Sequence, residues 1–94
     1  MPPVPKILAR ALEHHQAGRR EQAEQMYRQI LSRDPLNVDA LHLLGMLAQE
    51  AGRHEAACEL IGKAVQIHPQ AALIRNNFGT VLESLERFDA AVAC

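Results

Sequence analysis

Ninety-four residues with a formal net charge of −1, both signs interspersed, make one small domain or a piece of one. Without a basic block the chain lacks the many phosphate contacts on which non-specific nucleic-acid binding depends, and no apolar run approaches the ~18 residues of a membrane span. Hydrophobic residues make up 48% but aromatics only 3%, with no Trp. Ala, Leu, Ile and Val must therefore fill the core, and the strong helix formers Ala and Leu point to an all-α chain.

The elements follow in chain order. The N-terminus, Met1 to Lys6, lacks the charged-then-apolar order of a secretory signal, so a cytoplasmic setting is the default. A first helix is expected over 5–17, with Pro5 in its first turn, where a missing N–H costs little. Its apolar stripe is Ile7, Leu8, Ala11 and Leu12, and Gly18 stops it. A second helix is expected over 20–33. Ala23, Met26, Tyr27, Ile30 and Leu31 are spaced i, i+3, i+4, i+7, i+8, which is one helical face. It ends at Asp34-Pro35, because a residue before Pro avoids the helical region.

Asn37 is placed to cap a third helix over 37–51, with Asp39 near its positive end. Ala40, Leu41, Leu44, Leu47, Ala48 and Ala51 form its stripe, and Gly52 ends it. The fourth helix, 54–67, carries Ala57, Leu60, Ile61, Ala64 and Val65 and stops at His68-Pro69. Ile74, Phe78, Val81, Leu82 and Leu85 mark a fifth helix over 71–85, and a sixth is expected over 88–94.

These elements repeat at a fixed offset of 34 residues. Ala17-Gly18-Arg19-Arg20-Glu21-Gln22-Ala23 falls on Ala51-Gly52-Arg53-His54-Glu55-Ala56-Ala57, and Pro35 falls on Pro69. A further step puts Leu44-Gly45 on Phe78-Gly79 and Arg53-His54-Glu55-Ala56-Ala57 on Arg87-Phe88-Asp89-Ala90-Ala91. An ordered set of matches at one offset is the signature of a stacked helical array.

At these residues the chain resembles the tetratricopeptide repeat family. The second unit carries the signature as Leu41, Leu44, Gly45, Ala48, His54, Ala57, Ile61, Ala64 and Pro69. The resemblance implies an α-solenoid of helix–turn–helix units: a divergent first unit at 1–35, a second at 36–69 and a truncated third from 70 to 94. Gly45 and Ala57 are expected to bring the two helices of a unit close together, and Ala64 to leave room for the next unit. Arg10 and His14 depart from the family's apolar pattern, as in a wetter terminal unit. Glu86 stands where Gly18 and Gly52 stand, and there a left-handed cap would cost roughly 1 kcal/mol. The reading is the N-terminal part of a longer, bacterial-type array.

In this family the first helix of each unit lines a concave groove. The resemblance therefore assigns the groove to Leu8, Leu12 and His15 from the first unit, and to Asp39, His42, Leu43, Met46 and Gln49 from the second. The third unit adds Leu73, Asn76, Asn77 and Thr80. Leu8, Leu12 and Leu73 stand where some members hold a peptide's terminal carboxylate with Lys or Asn. Leucine cannot donate those hydrogen bonds, which excludes that receptor type. The implied function is a protein-interaction scaffold that binds a peptide or helix. One alternative is the substrate-recruiting arm of an O-linked sugar-transferase or sulfotransferase-like enzyme, because Asn77 matches one rung of the Asn ladder in such arrays. Another is self-association through an uncovered face at Val81, Leu85, Phe88 and Val92, which predicts a homo-oligomer.

No catalytic motif competes with this reading. His14, His15, His42, His54 and His68 show no metal-ligand spacing and are read as solvated helix-face residues. Cys58 and Cys94 form no C-x-x-C pair or disulfide framework, and they are read as one small core or interface residue and one residue at the chain end. Glu83 and Glu86 share a helix face as surface charge. No enzyme activity, cofactor or metal is expected, and the partner is a protein or peptide rather than nucleic acid or membrane.

Overall fold

The computed structural model describes residues 2–87. Five helices follow one another: α1 Val4–Gln16, α2 Arg20–Arg33, α3 Val38–Glu50, α4 His54–Ile67 and α5 Ala72–Arg87. The expected helix at 88–94 lies outside the described residues.

The ends follow local chemistry. Pro5 sits in the first turn of α1. The Asn37 side chain accepts a hydrogen bond from the Ala40 N–H at 2.9 Å and caps α3. Gly18 and Gly52 both adopt a φ of 80°. Each closes a double-bonded C-terminal motif of the Schellman type: Arg19 N–H to His14 O and Gly18 N–H to His15 O after α1, Arg53 N–H to Ala48 O and Gly52 N–H to Gln49 O after α3.

The third first-helix has no glycine at the matching position. The α5 helix continues through Glu86 to Arg87, past the position that holds glycine in the other two units. A residue with a Cβ avoids the left-handed cap, and Glu86 is helical, so no left-handed cap is formed at that position.

α1 packs on α2 and α3 on α4, α2 and α4 each pack onto the following helix, and α3 touches α5 along one side. Three buried clusters run along this stack. Ile7, Ile30 and Ala40 form one, and Ala11, Ala23, Tyr27, Leu44 and Leu47 the next. The largest joins Leu41 to Ala57, Cys58, Ile61 and Ala64 of α4 and to Ile74, Val81 and Leu85 of α5. Each cluster spans successive helix pairs, so no pair buries its apolar face alone.

Small residues set the spacing. A Cβ on Gly45 would run into the Ile61 side chain, and would lie 3.3 Å from the Ile61 backbone nitrogen. Ala57 and Ala64 are fully buried. Cys58 is fully buried too, but it is disulfide-bonded, where the sequence reading made it a plain core or interface residue.

Candidate functional site: a concave groove

The first helices of the units, α1, α3 and α5, bring one set of side chains into an open groove. Leu12 and Gln16 of α1, Leu43 and Met46 of α3, and Leu73 and Asn77 of α5 line it, together with His15, His42 and Glu50. Leu73 stays 65% exposed despite its size. With Leu12, Leu43 and Met46 it gives the groove an apolar floor.

The remaining residues expected in the groove are not among those that line this opening. Leu8 is half-buried and packs against two of the core clusters. Gln49 is half-buried and donates its amide N–H to Ser84 Oγ at 2.7 Å. Asp39, Asn76 and Thr80 are exposed, and Thr80 Oγ1 donates to the Asn76 carbonyl at 3.2 Å. Val81 and Leu85 do not form an open face: they are 0% and 4% exposed, packed into the cluster shared with α4. Phe88 and Val92 lie outside the described residues.

Polar side chains tie the first helices together in a regular way. His15 on α1 bonds Glu50 at 2.8 Å, His42 on α3 bonds Asn77 at 2.7 Å, and Gln49 bonds Ser84. Each pair is 35 residues apart, one more than the repeat. Position 15 of the first unit and position 49 of the second are equivalent, and so are their partners, Glu50 and Ser84. The same rung is therefore built twice with different chemistry.

Two histidines are thus structural. His42 is 7% exposed, which corrects its reading as a solvated residue. Its Nε2 accepts from the Asn77 amide, so the ring is neutral with its proton on Nδ1. His15 reaches inward as well as outward. Its Nε2–H donates to Glu50, and its Nδ1 accepts the Tyr27 hydroxyl proton at 2.9 Å, with the two rings edge to face. A core tyrosine is thereby linked through a groove histidine to a carboxylate at the surface. Sequence periodicity did not reveal this chain, although the offset of one repeat plus one residue was present in it.

Burial pushes the His42 pKa down, and the nearby Asp39 offsets this only in part. The folded state then binds a proton less readily than the unfolded chain. This contribution is complete above the unfolded value of about 6.5 and is lost as pH falls through the lower folded value. Thermal melts by circular dichroism should therefore show stability falling below about pH 6.5. His42→Gln, which has no titrating ring, should flatten that fall; an unchanged slope would refute the assignment.

Among the described residues no group of His, Cys, Asp or Glu is arranged to hold a metal, and no helix is long and apolar enough to cross a membrane.

A stack of two-helix units with a groove formed by their first helices defines a helical-repeat scaffold. The family model of the tetratricopeptide repeat matches residues 8–72, and the chain belongs to that family. Its repeats are protein-interaction scaffolds and are generally non-catalytic. The chain is 27% identical over 77 residues to human tetratricopeptide repeat protein 7B, which covers 82% of this chain and 9% of that protein. A solved structure of a mutant O-GlcNAc transferase from Thermobaculum terrenum superposes with a TM-score of 0.83 at 33% identity. That match covers 89% of this chain and 17% of the transferase chain. The chain thus spans only a small part of either relative.

Proposed function

We propose that the concave groove binds a short peptide or helix of a partner protein and that the chain itself performs no chemistry. The observation that carries this is the apolar floor of Leu12, Leu43, Met46 and Leu73, drawn from three helices and open to solvent between polar walls. Burying such a floor gains roughly 25 cal/mol per Å², and the hydrogen-bonding groups around it orient a bound backbone.

The test is selection of displayed random peptides, about 12 residues long to span the groove, on the chain, followed by titration of the selected peptides. Met46→Glu combined with Leu73→Glu should weaken them at least about tenfold, since each substitution puts a charge where an apolar group docks. Leu73 is exposed, so the single Leu73→Glu variant leaves the core intact and controls for folding. Peptides that bind both variants as well as the parent would sink the reading.

A second reading is favoured by the likeness to the O-GlcNAc transferase. In it, the groove is the substrate-recruiting arm of a larger enzyme. Asn77 supports it only in part, because its amide already donates to His42 and its repeat equivalents are Ala9 and Leu43. A transferase domain encoded after Cys94 would support this arm; repeats alone would overturn it.

A further inference from the structure

We infer that the groove selects partner segments that place Lys or Arg on both sides of an apolar residue, an inference that rests on the groove-binding reading above. It comes from the stripe that α3 presents. Asp39, Leu43, Met46 and Glu50 stand at i, i+4, i+7 and i+11. At about 100° per residue they fall within roughly 60° of one another on the helix. The stripe reads acidic, apolar, apolar, acidic, and its middle pair is the floor of the groove.

The two charges on that stripe have one sign. Asp39 is exposed and the Glu50 side chain is 44% exposed. Among the described residues no Lys or Arg lines the groove. Arg10 and Arg75 stand on the first helices, but in register with Leu44 and Leu41, which are buried core residues. Lys6 is in register with the buried Ala40. The other basic residues lie on α2 and α4, in their adjoining turns and at the end of α5. The hydrogen bond from His15 holds the Glu50 carboxylate at the wall.

Spacing adds a length. Asp39 and Glu50 are eleven residues apart, or about 17 Å along the helix. An extended chain covers that distance in about five residues. A segment running along α3 would meet both carboxylates with basic residues about five positions apart and set an apolar side chain on Leu43 and Met46. Opposite charge at the rim chiefly sets partner choice and association rate, and salt weakens it.

The experiment uses the same displayed peptide library on the whole 94-residue chain, with a second selection on Asp39→Lys combined with Glu50→Gln. The glutamine amide keeps an oxygen to accept the His15 bond, and Asp39 is exposed, so the variant should fold; its circular dichroism spectrum checks this. The expected result is enrichment of Lys or Arg around Leu, Met or Phe on the parent chain and loss of that enrichment on the variant. A synthetic peptide from the parent selection should bind the variant about threefold to tenfold more weakly, with the gap closing as salt rises. Sequences without basic bias that still depend on Met46 and Leu73 would overturn the charge inference and leave groove binding standing. Sequences indifferent to Met46 and Leu73 would overturn both.

Discussion

Tyr27→Ala should cost about 3–5 kcal/mol, the range for deleting a buried aromatic ring. Tyr27 is fully buried in the cluster it shares with Ala11, Ala23, Leu44 and Leu47. It thereby joins both helices of the first pair to the first helix of the second. A chain of this length holds a total stability of about 5–14 kcal/mol, so the loss takes a large share of it. Urea melts by circular dichroism at neutral pH would show a much lower midpoint. A loss under about 1 kcal/mol would mean that the cluster does not hold the pairs together.

Tyr27→Phe separates the ring from the hydroxyl. It removes the proton that His15 Nδ1 accepts and should cost about 1 kcal/mol. It should also change the alkaline limb. Burial, with a smaller contribution from Glu50, pushes the Tyr27 pKa up to about 12. The folded state therefore keeps a proton that the unfolded chain gives up from about pH 10. That contribution is fully present below about pH 10 and is lost as pH rises through about 12. The Phe variant has no such loss, so its stability relative to the parent should improve across that window.

Gly45→Ala is the second large effect, and its sign opposes helix propensity. On propensity alone the change gains about 1 kcal/mol in mid-helix. The added Cβ, however, meets the Ile61 side chain and lies 3.3 Å from its backbone nitrogen. Ile61 is fully buried and β-branched, so it has little rotamer freedom with which to yield. Overpacking of this kind costs about 1–3 kcal/mol, and the backbone contact places Gly45 at the upper end. A net loss of about 2 kcal/mol is expected in urea melts. Combining it with Ile61→Ala should give less than the sum of the two, because the second change removes what the first collides with. Additive losses would place the damage elsewhere.

How much of this was legible beforehand differs from residue to residue. Helix ends at Gly18, Pro35, Gly52 and Pro69 were readable because each rests on the residue's own backbone preference. The close approach at Gly45 was readable from its place in the repeat. The groove was readable in part: Leu12, His15, His42, Leu43, Met46, Leu73 and Asn77 come together, while Leu8 and Gln49 are taken up by packing and by a hydrogen bond. Whether a first-helix residue faces the groove or the adjacent unit turns on a rotation of some tens of degrees. Periodicity does not resolve an angle that small.

The sequence by itself determined the repeat length, the alternation of helix and turn, and the apolar faces to be buried. Each of these depends on neighbours within a few residues or on a pattern recurring at a fixed offset. Only the tertiary structure decided that His42 would be buried and neutral against Asn77, and that Tyr27, His15 and Glu50 would form one hydrogen-bonded chain. It also decided that Val81 and Leu85 would be spent in the core. Those outcomes depend on how far one helix pair is shifted and rotated against the next. That shift comes from packing side chains such as Ile61 against Gly45, across helices, and no local preference encodes it.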